Sequence, residues 1–236
     1  MKRILTSIIF LGTVCFASEY YAKATPINTY NVKSSVSGKV VYVNNEIESK
    51  NATNSLIVKI DDKVNKIDLQ QSQMKLKNLE EILKLEKGTL ESYKKVSSKS
   101  KFDKDNQKIK ILNIESSISD IKTRIETLQD SIQNKNLSEK DTYVFDIAVE
   151  IGDYVNPGTS LYTAMDLSYG KLEIFIPIND AKSITTKDIY LNGKKSDLKI
   201  SKLYRVADVK HISSYKCEII IPTPKRFSSL YKVEFK

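Results

Sequence analysis

The sequence holds one histidine, His211, and two cysteines, Cys15 and Cys217. A serine triad needs a histidine placed beside its nucleophile, and a zinc site built on several histidines needs more than one. A cysteine nucleophile at Cys217 would have to take its base from His211, the only imidazole on offer. Cys217 stands between Lys216 and Glu218 in a strand-like run, the setting of a small packed residue. His211 falls in a polar loop and reads as solvated. Asp61 and Asp62 could face calcium, but adjacent carboxylates lack the alternating ligand spacing of a calcium loop. Helix entry and capping account for them better. No glycine-rich phosphate loop is present. The residues form no catalytic constellation, so no catalytic, cofactor-binding or metal-ligating residue is expected and the chain reads as a non-enzyme.

Without a reactive centre, the elements themselves become the argument. A chain of 236 residues is one large domain or two or three small modules. Its formal charge of +9 comes mostly from lysines. These are scattered, without the aromatic and arginine pattern of a nucleic-acid surface, and a nucleic-acid partner is not expected. Lys2 and Arg3 precede the mostly apolar run Ile4–Phe16, which is too short to span a membrane. Cys15 and Ala17 are small residues at the −3 and −1 positions of a cleavage after Ala17, so residues 1–17 read as a secretory signal peptide. An uncleaved anchor and a lipidated Cys15 are the alternatives, though Val14 suits the second poorly. Cleavage would leave only Cys217, and therefore no internal disulfide.

From about Lys66 to Asn136 the chain has no proline and a single glycine, Gly88. Ile111, Ile114, Ile118, Ile121, Ile125, Leu128 and Ile132 alternate spacings of three and four, a coiled-coil seam. A weaker seam precedes it: Leu69, Leu76, Leu83 and Leu90 every seven residues, with Leu79 and Tyr93 between. Ser72 and Glu86 break that stripe, which predicts looser packing there. The polar run Ser97–Lys104 separates the two helices, and Asp103 or Asp105 is placed to cap the second. So short a connection makes them antiparallel, and at about 30 residues each the hairpin would project roughly 45 Å.

Short β-type runs flank this hairpin: Val36–Val43 and Ser55–Asp61 before it, Tyr143–Val149 and Gly152–Leu161 after it. The second pair carries V-x-x-G-D-x-V-x-x-G-x-x-L, with Val149, Val155 and Leu161 pointing inward. Gly152, Asp153 and Gly158 belong to its turns, and Gly38 to a turn of the first pair. V-S-G-K-V before a hairpin and V-x-x-G-D-x-V-x-x-G after it resemble the split biotinyl/lipoyl-like domain of the HlyD/AcrA-like periplasmic adaptors, the membrane fusion proteins. Where the family has a G-D-x-V-x-x-G in the first half, this chain has Asn45–Asn51, a turn that asparagines in left-handed backbone could build. A true lipoyl or biotinyl carrier would need an uninterrupted domain with a modified lysine at its turn, and the hairpin occupies that place.

The last third reads as a small β-barrel. Leu172–Pro177 is a strand, Ile178–Ile184 a short helix, and Asn192-Gly193 joins a hairpin between Asp188–Leu191 and Lys195–Ile200. Lys216–Ile221 and Leu230–Phe235 follow. Lys199–Ile221 is similar to the family's barrel segment. The resemblance thus implies an α+β fold: a signal peptide (1–17), a first barrel strand (25–35), lipoyl-like halves (36–65 and 137–171) split by an antiparallel coiled-coil hairpin (66–136), and a β-barrel (172–236). The chain ends at Lys236, which implies a short variant lacking the family's membrane-proximal domain.

The function implied is that of a periplasmic adaptor in a tripartite efflux or type I secretion system of a Gram-negative bacterium, associated with the inner membrane. It would link an inner-membrane transporter of RND or ABC type to an outer-membrane TolC-like channel, as a homo-oligomer with no cofactor. The efflux branch's Arg-Leu-Ser tip motif does not align, since Arg124 is the hairpin's only arginine. The tip offers Tyr93, Lys94, Lys95, Val96, Ser97, Ser98 and Phe102 as channel-contact residues instead. An exported structural coiled-coil protein without a transport role is the alternative.

Overall fold

The computed structural model describes residues 18–207 and 209–236. The expected signal peptide, residues 1–17, lies outside the described residues. The described residues divide into two compact units, one comprising residues 30–164 and the other residues 18–29 together with 165–236.

In the 30–164 unit, β2 (Gly38–Val43) pairs antiparallel with β3 (Lys50–Ile60), and β3 pairs with β4 (Asn136–Ile147). The short β5 (Tyr154–Val155) closes on β2. Val40, Ile57, Val58, Ile60, Val144, Val155 and Leu161 lie almost wholly buried between these strands. Each contributes about 1.5–3 kcal/mol relative to an exposed side chain. The segment between β2 and β3 differs from the asparagine turn expected of it. A 3-10 turn spans Asn45–Ile47, and the left-handed residue is Ser49, at φ 61°. Asn54, at φ 69°, sits instead at a register shift inside β3, where the extra residue bends the strand.

The ladder between β3 and β4 ends on the pair Lys59–Asn136. Helix α1 (Lys63–Lys95) leaves that end of the ladder and α2 (Lys101–Asn134) returns to it. Strand register therefore fixes the two helix roots side by side, and a connection of five residues, 96–100, makes the helices antiparallel. With 33 and 34 residues, they extend about 50 Å at about 1.5 Å per residue.

In the other unit, the start of β1 (Ser18–Lys33) pairs with β11 (Leu230–Phe235), Ser18 opposite Phe235. β11 also pairs with β7 (Ile189–Leu191), which turns through Asn192-Gly193 into β8 (Lys194–Ser196). Both turn residues have positive φ, 49° and 79°, as a two-residue hairpin requires. β10 (Ser214–Pro222) lies between β9 (Ile200–Leu203) and the second half of β6 (Ser160–Pro177). Leu172, Ile176, Cys217, Ile219, Val233 and Phe235 form the core. Two sequence expectations change here. The strand facing β11 starts at Ser18 rather than within 25–35. The helix expected at Ile178–Ile184 is a run of turns leading into a 3-10 turn at Ser183–Thr186.

Candidate functional site

The hairpin is the feature that projects chemistry away from a β unit. Ile111, Ile118 and Ile121 are buried along its seam. Leu69, Leu76, Leu79, Leu83, Leu90, Tyr93, Ile114, Ile125, Leu128 and Ile132 are half-buried. The ion pairs Lys87–Glu115 (2.7 Å), Lys122–Glu80 (3.8 Å) and Arg124–Asp68 (3.8 Å) tie the helices across the outside of the seam. All are exposed, so each is worth at most about 1 kcal/mol.

The two positions expected to loosen α1 are filled. Ser72 is itself buried. Glu86 faces Gln107, a buried seam residue of α2 whose Nε2 donates to the Glu86 carbonyl (2.9 Å) and carboxylate (2.7 Å). Lys110 closes on the other carboxylate oxygen at 2.5 Å. Hydrogen bonds from Lys110 and then Gln107 hold the Glu86 carboxyl below its ordinary range. Gln107 was not foreseen because it is polar, although it stands four residues before Ile111 and continues the seam. A polar layer of this kind fixes the register of the two helices against sliding.

At the tip, Ser100 rather than Asp103 or Asp105 caps α2. Its hydroxyl accepts from the Asp103 amide (3.1 Å) while the Asp103 carboxylate accepts from the Ser100 amide (3.1 Å), a reciprocal capping box. Lys101, Phe102, Asp103 and Lys104 thus belong to the helix, and the turn is shorter than the polar run suggested. Lys94, Lys95, Val96, Ser97, Ser98 and Phe102 are exposed, Phe102 to 73%. Lys94 pairs with Glu91, and Lys99 lies 4.4 Å above the ring of half-buried Tyr93. The structure thus gathers the sequence-expected tip residues around one turn, basic and apolar together.

At the root, Asp62 is buried and receives Lys66 at 2.9 Å, Asn136 Nδ2 at 3.2 Å and Lys59 at 3.7 Å. Lys135 Nζ donates to the Asp61 carbonyl (2.8 Å) and to Asn65 Oδ1 (2.7 Å). The first turn of α1 is thereby bound to the last turn of α2 and the start of β4. Burial pushes the Asp62 carboxyl up, but the hydrogen bonds from Lys66 and Asn136, with the Lys59 charge, hold it below its ordinary value. A lowered folded pKa stabilises the protein above the unfolded value of about 3.9 and is lost as pH falls through the folded one. The protection factors of the first amides of α1, with the intrinsic pH dependence of exchange divided out, are therefore expected to fall on acidification below about pH 4, and Asp62→Asn to flatten that response.

Gly152 and Gly158 hold left-handed backbone, φ 109° and 92°, and Asp153 accepts from the Glu150 amide at 2.9 Å. These three close the turns between β4 and β6. Gly38 has a different role: a Cβ there would meet Ile60 Cγ2 at 2.5 Å.

In the other unit, His211 stacks on Phe175, ring centroids 3.4 Å apart, rather than standing free in solvent. Cys217 is fully buried, and burial first, then Glu218, pushes its thiol up to about 12. A thiolate is the reacting form. Cys217 should therefore resist alkylation near neutral pH in the folded protein and label fully in denaturant, which mass spectrometry reads directly. Among the described residues, no group of three or more His, Cys, Asp or Glu side chains is placed to hold a metal ion, and no helix is long and apolar enough to cross a membrane.

Neither a protein-family model nor a curated protein sequence matches this chain. Its fold does match solved structures. MacA from Actinobacillus actinomycetemcomitans superposes with a TM-score of 0.78 at 17% identity, over 99% of this chain and 82% of that one. A MacA-MexA chimera carrying the Pseudomonas aeruginosa MexA alpha-hairpin domain gives 0.72 at 18% identity, over 93% and 81%. A membrane fusion protein from Streptococcus pneumoniae gives 0.68 at 8% identity, over 93% and 97%. With strands on both sides of a long helical hairpin in one unit and a second unit built of β-strands, this chain has the fold of the membrane fusion proteins.

Proposed function

We propose that this protein is the periplasmic adaptor of a tripartite efflux or type I secretion system. It joins an inner-membrane transporter of RND or ABC type to an outer-membrane TolC-like channel. The observation that carries the reading is the hairpin's attachment. Two helices of about 50 Å stand on the paired ends of β3 and β4, so a movement of the β unit reaches the tip through a registered coiled coil. In this reading residues 36–65 and 137–171 are the halves of a lipoyl-like domain and 172–236, with the first strand, a β-barrel. The barrel faces the transporter and the tip meets the channel. Several copies surround the conduit, and the work is mechanical. Gly152, Asp153 and Gly158 shape the lipoyl-like turns, and Gly38 leaves the first half the room that Ile60 occupies. Tyr93, Lys94, Lys95, Val96, Ser97, Ser98 and Phe102 make the channel contact, and their lysines suit acidic residues at a channel mouth. The protein works in the periplasm of a Gram-negative cell, beside the inner membrane.

The test is cross-linking in the native host, with cysteine at Ser98 and, as control, at Gln73 on the exposed flank of mid-α1. An outer-membrane channel protein recovered from Ser98 and lost from Gln73 supports the reading. Recovery of only the protein itself from several tip positions would replace it with an exported structural coiled coil.

A further inference from the structure

The unit built from residues 18–29 and 165–236 carries bare aliphatic side chains on one loop. Between β9 and β10, Val206, Val209 and Ile212 are exposed to 81, 95 and 78%. Single exposed aliphatic residues are ordinary on a protein surface, but three in one short loop mark a contact. The loop is pinned at both ends. The Tyr204 amide donates to the Lys216 carbonyl (2.9 Å), the Ser214 amide to the His211 carbonyl (3.1 Å) and the Ile178 amide to the Ser213 carbonyl (3.2 Å). His211 also stacks on Phe175 of β6. The three aliphatic side chains are thus held outward, where their hydration is unfavourable.

At the start of this loop a cavity of about 630 Å³ opens, lined in part by Lys182, Tyr204, Arg205 and Tyr215. Lys182 and Arg205 are exposed, and neither enters an ion pair among the described residues. Neighbouring cations are already matched: Lys216 to Glu218 (3.0 Å) and Glu173 (3.7 Å), and Lys202 to Glu218 (3.9 Å). Lys210 adds positive charge within the loop, and Asp208 is the only acid of the sequence between Lys202 and Glu218. Aliphatic tips, tyrosines and unspent cations match the acyl chains, the interface and the phosphates of a bilayer. Side chains this bare project singly, which suits a fluid phase. A protein partner would need a fitted pocket for each of them.

We propose that the β9–β10 loop inserts into an anionic phospholipid bilayer. Val206, Val209 and Ile212 enter the boundary between headgroups and acyl chains, and the cavity with Lys182 and Arg205 takes a lipid phosphate. The aliphatic groups leave water and the two cations gain a counter-charge, so both features of the loop are satisfied by one partner. The contact rests on the proposed seat beside the inner membrane, and gives that seat a lipid attachment made by the β unit itself.

The test uses the full chain with Cys15→Ser and Val209→Cys, labelled at position 209 with an environment-sensitive fluorophore while buried Cys217 stays unreacted. Phosphatidylglycerol vesicles with brominated acyl chains should blue-shift and quench the label, and brominated phosphatidylcholine vesicles should do so far less. Quenching reads the loop itself, whichever other part of the chain meets the bilayer. Lys182→Gln with Arg205→Gln should lower the insertion constant about 25-fold, at about fivefold per cation, and flatten its salt dependence. Val206→Ser with Ile212→Ser should also lower it and leave the salt dependence unchanged. All four side chains are exposed, so these variants should keep the fold. No quenching by phosphatidylglycerol vesicles, or equal quenching by both lipids, would overturn the proposal. If a photo-cross-linker at position 209 then captured a membrane protein in the native host, the loop's partner would be protein instead of lipid. Insertion without a channel contact from Ser98 would overturn only the adaptor reading, and the reverse result only the lipid contact.

Discussion

Gly38→Val should destabilise the 30–164 unit by about 3 kcal/mol, the upper range for forcing extra methylenes into a packed core. A Cβ at this position would lie 2.5 Å from Ile60 Cγ2, and Ile60 is fully buried. The neighbour has little room to yield, because its strand is held on both sides by β2 and β4. Gly38→Ala should cost less, and Gly152→Ala less still. No atom lies within 4 Å of a Cβ at Gly152, so only its left-handed backbone, φ 109°, resists. Denaturant unfolding ranks the three variants. Hydrogen exchange shows whether the loss is confined to β2, β3 and β5. Ile60→Ala removes the clashing carbon, so its combination with Gly38→Val should be markedly less destabilising than the sum of the two. Additivity would mean that close approach is not what reserves the position for glycine.

Gly38 also shows where sequence reading stops. V-S-G-K-V marks the glycine, and the usual reason for one is a turn. The reason here is a side chain twenty-two positions away, which only the β2–β3 register reveals. The helices could be read because branched and aliphatic residues at spacings of three and four announce a buried stripe whatever it packs against. Gln107 and Ser72 were missed because that rule counts only apolar residues, yet both are buried in the same seam. The cap at Ser100 was present as Ser-x-x-Asp, but the aspartate drew attention one turn too far along. The root was the least legible part. Lys135 reaches Asn65 across 70 positions, and nothing local in either segment points to the other.

Ile118→Asp is expected to abolish the hairpin as a cooperative unit while the unit built from residues 18–29 and 165–236 stays folded. Ile118 is 8% exposed at the middle of the seam, with Ile121 and Ile111 buried on either side. A carboxylate there has no cation placed to meet it. Lys122 and Arg124 already turn outward to Glu80 and Asp68, and an unpaired buried charge exceeds the few kcal/mol that hold a two-helix seam. Ile118→Ala leaves only a cavity, about 2–4 kcal/mol, and should weaken the hairpin without erasing it. Far-UV circular dichroism would show the helical signal mostly lost in the first variant and retained in the second. Cys217 serves as the internal control, since its slow alkylation reports that the other unit's core is intact. In the native host, Ser98→Cys cross-links should disappear with Ile118→Asp and persist with Ile118→Ala. If they survived the loss of helix, the tip would not be presented by the coiled coil, and the hairpin would have to be abandoned as the element proposed to reach a channel.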